Sequence, residues 1–481
     1  VMLQKQIKSG ANAQTSFTVT KFIYDDLGRV LRTDKKIQHT NVGGNVLPSV
    51  YTTVSQNEYD ALGQLKKKTV GSKKNPANNT YYSPRQPLQE QAYEYNIRGW
   101  LLNVNKGYMN NANTNQYFAM ELGYDKNASL STFAPLYNGN IAGMLWKSEG
   151  DQQRRKYNFS YDAANRLTAG AFAQYVSGSG SSAVFNISAN IDYSVSGLTY
   201  DANGNLKTMT QKGLILNASP TIDQFTYNYK NTEYSNKLAK VTDSAAAASS
   251  GKLGDFKDGN VGATDDYSYD VNGNLTADLN KGISAISYNY LNLPQTITVT
   301  GKGTITYTYD AAGTKLKKVT VENPSAANGN KTITTTTTYV GAFVYESKTM
   351  SPADPNNPNY TDKLLFAGQE EGRIRTLFNT AGSPNTPSGF AYDYFVKDHL
   401  GNVRMVLTEE IKQDIYPAAT LEGSLTVDGS PNAAFKEKDY YSINSAYVVA
   451  STTATGITPY QNHNGNPPVN NNPNSVVTAN S

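Results

Sequence analysis

Two stretches of the chain, Tyr200-Asp201-Ala202-Asn203-Gly204-Asn205-Leu206 and Tyr269-Asp270-Val271-Asn272-Gly273-Asn274-Leu275, share the pattern Tyr-Asp-x-x-Gly-x-Leu. Tyr24, Asp25 and Gly28 follow the same pattern near the start of the chain, as do Tyr59, Asp60 and Gly63. On both sides of these motifs apolar and polar residues alternate, which is the period of a half-buried β-strand. We therefore predict that each motif is the turn of a β-hairpin and that the chain is all-β.

The chemistry of the motif supports a turn. An aspartate at the first turn position accepts hydrogen bonds from the backbone that follows it. The pairs Asn203-Gly204 and Asn272-Gly273 predict a two-residue type I′ turn, which needs positive φ at both central residues. Asn165, which replaces the glycine in one copy, tolerates positive φ as well. The copy from Tyr124 to Leu130 has neither residue there, so we expect its turn to be distorted.

The repeat is irregular in length. The motif tyrosines from Tyr24 to Tyr200 lie 29 to 39 residues apart, and Tyr269, Tyr290 and Tyr309 follow at intervals of 21 and 19 residues. A propeller keeps its blades nearly constant in length, whereas a sheet that winds on itself tolerates loops of unequal size. The spacing therefore favours hairpins wound into a spiralling sheet.

Composition excludes several functional classes. The chain has 481 residues, of which 17% are charged, and its net charge is +4, too small for a surface that follows nucleic-acid phosphates. No apolar run reaches the length of a membrane helix. Cysteine is absent, so neither disulfides nor thiolate metal sites are expected, and 35 of the aromatic residues are tyrosines that suit strand surfaces.

No residue pattern in the sequence predicts catalysis, a metal or a cofactor. The spacing of Asp201, Asn203 and Asn205 resembles the start of a calcium loop, but position 12 of that loop is Lys212 where a bidentate glutamate is required. The histidines lie far apart in the sequence, and His399 is interpreted as a packing residue in preference to a base. Adjacent acidic residues are expected to point to opposite faces of strands.

The repeated motif and one later segment resemble the YD-repeat or Rhs (rearrangement hotspot) family. The repeats cover residues 22–316, and the later segment looks like the opening of the Rhs-associated core, with Asp398, His399, Gly401, Asn402 and Arg404 as its motif residues. The form of this segment is most similar to large secreted or surface Rhs proteins of Bacteroidetes. The resemblance implies a hollow shell that encloses a C-terminal, often toxic, domain.

The same resemblance implies partners and a location. The shell would hold its own C-terminal effector or cargo, and it would meet secretion machinery, with type IX secretion as the expected route, or a surface-anchoring partner. The location would be extracellular, at the cell surface or in the medium. Family members often carry an aspartyl autoprotease near Asp-Pro-x-Gly, but the single Asp-Pro here, Asp354-Pro355, is followed by asparagines. No catalytic residue is therefore assigned, and any toxin or protease activity would lie outside residues 1–481.

Three regions are predicted: a YD-repeat shell over residues 1–320, final shell strands with the start of the core over 321–410, and a post-core segment over 411–481 with a mobile tail rich in Asn and Pro. The predicted function is a non-enzymatic shell that encapsulates and delivers an effector. The alternative is a cell-surface adhesin or glycan-binding protein. Its candidate binding residues are Tyr81, Tyr82, Tyr440 and Tyr441.

Overall fold

A computed structural model describes residues 1–411 with gaps, together with the backbone of 448–449 and 476–477. The gaps within the first 411 residues are 11, 43–45, 111–115, 127, 132, 188–190, 216–217, 232–233, 246–253, 263 and 380–384. The chain divides into two compact units, Val1–Glu410 and Ile411–Ser481. No helix in the described part of the chain is both long and apolar enough to cross a membrane.

The first sheet of the first unit contains 16 strands. Its strands are β1 (Met2–Lys8), β2 (Gln14–Tyr24), β3 (Val30–His39), β4 (Thr52–Tyr59), β5 (Leu65–Val70), β8 (Gln89–Tyr95), β9 (Leu101–Val104), β10 (Phe118–Gly123), β11 (Gly143–Ser148), β12 (Arg154–Tyr161), β13 (Leu167–Ser177), β14 (Val184–Asn186), β15 (Val195–Tyr200), β16 (Leu206–Lys212), β17 (Thr221–Tyr229) and β18 (Leu238–Asp243). A separate two-stranded ribbon is formed by β6 (Lys74–Asn75) and β7 (Thr80–Tyr81).

The second sheet contains 12 strands in chain order. They are β19 (Tyr267–Tyr269), β20 (Leu275–Asp278), β21 (Ile283–Tyr288), β22 (Pro294–Val299), β23 (Gly303–Tyr309), β24 (Lys315–Glu322), β25 (Thr332–Val340), β26 (Phe343–Ser351), β27 (Tyr360–Gln369), β28 (Gly372–Phe378), β29 (Pro387–Lys397) and β30 (Val403–Thr408). Helical structure in the described residues is limited to α1 (Lys106–Asn110) and 3-10 turns at Gly180–Ser182, Leu279–Lys281 and Ala326–Asn328.

Both sheets are antiparallel meanders in which each strand pairs with the next along the chain, apart from the ribbon and β14, which pairs with β13 alone. The two sheets follow directly on one another. The Asp266 amide donates to the Ala239 carbonyl at 2.8 Å, and the Tyr269 hydroxyl donates to the Leu238 carbonyl at 2.9 Å. The last strand of the first sheet therefore lies beside the first strand of the second.

Three strands in the middle of the array, β16, β22 and β24, lack fully buried residues, whereas β17 and β18 between them contain several. Every residue of β16 is half-buried, and neither β22 nor β24 contains a fully buried residue. Such a pattern arises when side chains cover both faces of a sheet partially and no second layer packs on either face. By contrast, every residue of β10 is buried.

The two ends of the array pack against each other. Ile37, Val54 and Val70, from β3 to β5, share one core cluster with residues of β26 to β29. A second cluster joins Val104 of β9 and residues of β10 to Val396 of β29. We call the packing surface between β1–β10 and β26–β30 the seam. The largest fully buried side chains of the seam are Tyr345, Tyr394 and Phe343.

The all-β fold class and the winding of hairpins into a shell-like array are confirmed, because a long antiparallel meander returns to its own start at the seam. The predicted boundary near residue 320 falls inside β24, which pairs with a strand on each side. In the second unit, β31 (Val448–Val449) pairs antiparallel with β32 (Val476–Val477). The predicted tail, Asn462 to Ser481, lies outside the described residues apart from β32.

Candidate functional site

The repeat motif forms a three-residue hairpin loop, not the two-residue type I′ turn predicted from Asn203-Gly204 and Asn272-Gly273. In the first copy the Gly28 amide donates to the Asp25 carbonyl and the Asp25 amide donates to the Arg29 carbonyl, both at 3.0 Å. Gly28 has a φ of 79°, and the register shifts by one residue beside the turn. This is a type I turn followed by a glycine bulge, which needs positive φ at only one residue.

The same correction holds for the other regular copies. Gly204 and Gly273 have φ values of 85° and 88°, whereas Asn203 and Asn272 are not among the residues with positive φ. The asparagines at those positions are therefore not needed for the backbone. Asn165 has a φ of 63°, which confirms that asparagine replaces the glycine in its copy.

The copy from Tyr124 to Leu130 does not form a repeat turn. Its preceding strand, β10, pairs directly with β11 through Gly123 and Gly143, and a long loop connects them. In that loop the Leu136 amide donates to the Tyr124 carbonyl at 2.8 Å. The expected distortion thus takes the form of a loop in place of a tight turn.

The motif aspartate organises the turn with its side chain. Asp60 Oδ1 accepts the amides of Leu62 and Gln64 at 2.9 and 2.8 Å. In the copy at Asp270, Oδ2 also accepts Asn274 Nδ2 at 2.9 Å, and this side-chain bond is the main reason that the pKa of Asp270 lies below its usual value. The aspartate oxygens that resemble calcium ligands in the sequence therefore accept hydrogen bonds inside the turn.

In most copies the motif tyrosine links its hairpin to the hairpin before it. Tyr59 Oη donates to the Val30 carbonyl at 3.0 Å, and Val30 is the residue that follows the preceding turn. Tyr200 Oη donates in the same way to the Leu167 carbonyl at 2.7 Å. The same bond recurs from Tyr161 to Ile141, Tyr229 to Leu206, Tyr269 to Leu238, Tyr288 to Leu275 and Tyr309 to Pro294.

Two tyrosine assignments change as a result. Tyr288, not Tyr290, occupies the repeat position, and Tyr290 is 79% exposed in the turn. Its motif, Tyr288-Asn289-x-x-Asn292, was missed because asparagine replaces both the aspartate and the glycine. Tyr229 was missed because a longer loop follows it, which removes the local pattern.

Changing Tyr269 to phenylalanine should lower the free energy of unfolding by about 1 kcal/mol, because the Leu238 carbonyl loses its side-chain donor. Tyr290→Phe is the matched control, because the exposed Tyr290 stands outside the repeat position and should tolerate the change. Urea unfolding of both variants measures the difference. Equal stabilities for the two variants would show that the hydroxyl bonds do not stabilise the array.

The core motif is another copy of the repeat turn. Asp398 Oδ1 accepts the amides of Leu400 and Asn402, both at 2.9 Å, and Arg404 Nε donates to Oδ2 at 2.7 Å. Gly401 has a φ of 85°. His399 lies half-buried in this turn, and burial lowers its pKa. Asp398 is thus a turn residue whose carboxylate accepts hydrogen bonds within its own turn and from Arg404.

A buried carboxylate just after β30 connects this strand to the segment that contains Ser72 and Tyr81. Glu409 is 4% exposed, and it accepts hydrogen bonds from the Ser72 amide at 2.8 Å, Tyr394 Oη at 2.8 Å and Tyr81 Oη at 2.7 Å. Burial raises the pKa of Glu409, although its three donors oppose that rise. This network joins the two sides of the seam. No pattern near Glu409 in the sequence indicated it.

Ion pairs cross the seam as well. Lys35 pairs with Glu370 at 2.9 Å, and Lys68 pairs with Glu371 at 2.8 Å. These neighbouring glutamates therefore face different lysines. Glu409 and its neighbour Glu410 also diverge, because Glu410 pairs with Arg375 at 2.8 Å. The expectation that adjacent acidic residues do not converge is confirmed for these pairs.

The structure places Tyr81 in the seam. Its hydroxyl is bound to Glu409, and its ring lies 5.3 Å from Lys74 Nζ and 4.8 Å from the Arg85 guanidinium carbon. Tyr82 is half-buried beside it. Tyr440 and Tyr441 lie outside the described residues. Glycan binding by these tyrosines stays a prediction.

His39 is a buried seam residue that the sequence did not single out. It is 0% exposed, its Nδ1 accepts the Asn41 amide at 3.2 Å, and burial lowers its pKa to about 4. It lines a cavity of about 430 Å³ together with Gln14 and Asp362. Asp362 pairs with Lys8 across the seam at 2.7 Å.

Acid should weaken the seam through His39. Because the folded pKa of about 4 lies below the unfolded value of 6.5, the unfolded chain binds the proton more strongly. The contribution of neutral His39 is therefore complete above pH 6.5 and is lost as the pH falls from 6.5 towards 4. Melting temperatures across this range should fall less for His39→Gln than for the unchanged protein. Parallel curves for the two proteins would contradict the prediction.

Comparison with known proteins gives distant structural similarity. No family model matches the chain, and no curated protein matches it. The fold is similar to the crystal structure described as TcdB2-TccC3-Cdc42, with 15% identity and a TM-score of 0.41 over 82% of this chain and 19% of that chain. The structure described as TcdB2-TccC3-TEV is similar with 13% identity and a TM-score of 0.40, again over 82% and 19%.

A third similar structure is a porin-like protein from Bacteroides uniformis. It has 12% identity and a TM-score of 0.17, over 72% of this chain and 95% of that chain. With 19% of each chain covered, the present chain spans about a fifth of the length of the two TcdB2-TccC3 structures. None of these similarities assigns the chain to a family.

Proposed function

We propose that this chain is the wall of an exported, YD-repeat type shell that encloses an effector domain of the same protein. The observation that carries the proposal is the seam. The two ends of the meander pack against each other, so that the array closes on itself, and the half-burial of β16 beside the full burial of β10 fits a thin wall with one thick seam. A wall of this kind suits the enclosure of another polypeptide.

The proposed role is structural and not enzymatic. The acidic side chains that stand out at the seam, including Glu370, Glu371 and Glu409, are each paired or hydrogen-bonded to different partners. General acid–base catalysis by two carboxylates requires that they converge on one substrate bond, and these seam glutamates do not. The turn aspartates are likewise occupied by backbone amides.

The proposed location is outside the cell, in the medium or at the cell surface. The chain has no cysteine, so no disulfide can stabilise it outside the cell. Strand pairing, tyrosine–carbonyl bonds and the buried seam supply stability without one. The proposed partners are the effector or cargo, the secretion machinery and a surface anchor. The resemblance to Bacteroidetes proteins makes type IX export the first route to examine.

Limited proteolysis of the full-length gene product tests enclosure. We expect the proposed effector domain to resist protease in the unchanged protein. It should be cleaved much faster in the Glu409→Ala variant, because the seam of that variant is weakened. Glu410→Ala is the control, since Glu410 makes a single partly exposed ion pair with Arg375. Cleavage of that domain at the same rate in all three proteins would reject enclosure.

A further inference from the structure

Three aspartates from separate segments meet where the first sheet leads into the second. Asp223 lies on β17, Asp243 ends β18, and Asp255 lies in the connection from β18 to β19. One carboxylate oxygen from each residue lies within 4.8 Å of the other two. Their positions in the sequence follow no metal-binding loop, so only the fold brings them together.

Local contacts hold two of these aspartates, Asp223 and Asp243, in place. The Phe256 amide donates to Asp223 Oδ1 at 2.8 Å, and the Phe256 ring packs edge-on against Phe225 with centroids 5.3 Å apart. Asp243 Oδ1 accepts the Gln224 amide at 2.8 Å. These contacts fix the orientation of both carboxylates, and therefore the direction of the second oxygen of Asp223 and of Asp243.

Burial of an unsatisfied carboxylate is a second observation, separate from the clustering. Asp223 is only 1% exposed, and its buried Oδ2 accepts no hydrogen bond from the described residues. The buried Oδ2 of Asp243 also accepts no hydrogen bond from the described residues. Buried carboxylate oxygens in folded proteins are normally paired, bonded to a donor or bound to a metal, because a buried charge without a partner is costly.

The charges around Asp223 point the same way. Burial is the main cause of its raised pKa, and the charges of Asp243 and Asp255 raise that pKa further. Asp192, another buried aspartate, shows the contrast, because Lys212 Nζ pairs with it at 2.9 Å. The cluster at Asp223 therefore favours a positively charged ligand.

We propose that Asp223, Asp243 and Asp255 bind a divalent cation of the calcium class. Calcium takes six to eight oxygen ligands in flexible geometry, so three carboxylates from different segments with water completing the shell form a suitable site. The bound ion would tie β17 and β18 to the connection that enters the second sheet. It would thereby stabilise the joint between the two sheets.

Calorimetric titration of the chelator-treated full chain with CaCl2 tests the proposal. We expect one saturable site, and an affinity at least tenfold weaker in Asp223→Asn. Asp258→Asn is the matched control, because Asp258 lies in the same connection and caps the Asn260 amide at 3.2 Å. Saturable binding of MgCl2 without a response to CaCl2 would overturn the calcium class.

Melting temperatures separate loss of the site from loss of the fold. In EDTA, Asp223→Asn should melt at or above the temperature of the unchanged protein, because one buried negative charge is removed. Calcium should raise the melting temperature of the unchanged protein and of Asp258→Asn, but not that of Asp223→Asn. Absence of saturable calcium binding, or an equal calcium-dependent rise in all three proteins, would overturn the proposal.

Discussion

Ile374→Ala is expected to lower the free energy of unfolding by about 2–5 kcal/mol, the range for truncating a fully buried aliphatic side chain. Ile374 is 0% exposed, and its cluster combines β3–β5 with β26–β29. The cavity left by the substitution would lie between the two ends of the array. Urea unfolding followed by circular dichroism measures the change.

The matched control is Ile297→Ala in the middle of the wall. Ile297 lies on β22, where no residue is fully buried, and it pairs with Ile286 and Ile305 on the neighbouring strands. Because less apolar surface is covered there, its truncation should cost about 1 kcal/mol. Equal losses at Ile374 and Ile297 would show that the seam is no more tightly packed than the wall.

Glu409→Ala is expected to destabilise the protein by about 3 kcal/mol or more, because three donors lose their shared acceptor in a buried environment. Those donors are the Ser72 amide, Tyr81 Oη and Tyr394 Oη. The Tyr81 and Ser72 segment should become more accessible at the same time. Unfolding by urea gives the energy, and hydrogen exchange around residues 71–82 gives the local effect.

Glu410→Ala provides the comparison for Glu409. Its carboxylate pairs with Arg375 and is partly exposed, so its removal should cost about 1 kcal/mol or less. Glu409→Gln should fall between the two, because an amide oxygen can still accept a hydrogen bond. A Glu409→Ala protein as stable as Glu410→Ala would contradict the assigned role of the buried carboxylate.

The hairpins could be predicted from the sequence because their determinants are local. Asp60 and Asp398 begin the same local pattern. In each turn the aspartate accepts hydrogen bonds from later backbone amides, and the glycine three residues after it has positive φ. The predicted type I′ turn was wrong because the pair Asn-Gly fits both a two-residue type I′ loop and a three-residue loop with a glycine bulge. Only the count of loop residues in the folded backbone, as at Gly204, distinguishes them.

The seam could not be predicted because its partners are far apart in the chain. Ser16 Oγ lies 3.1 Å from Tyr345 Oη although 329 residues separate them. The sequences of β3 and β28 do not indicate which strands cover them. For the same reason Tyr81 suggested a binding surface in the sequence, whereas the fold places its hydroxyl on Glu409.

Tyrosine abundance has a structural explanation in the repeats. The hydroxyls of Tyr59, Tyr200 and Tyr309, among others, bind the backbone of the preceding hairpin. A sheet that is one layer thick lacks a second layer to hold its strands, so bonds between successive hairpins add stability that the wall otherwise lacks. The motif tyrosine is therefore a feature of the wall and not evidence of a ligand.

Electron cryo-microscopy of the protein tests the shell most directly. The map should show a wall one sheet thick around a solvent-filled interior, with β26–β30 stacked against β1–β10 at the seam. A filled particle in which a second layer covers β16 and β22, or an open arc with the first and last strands apart, would contradict it.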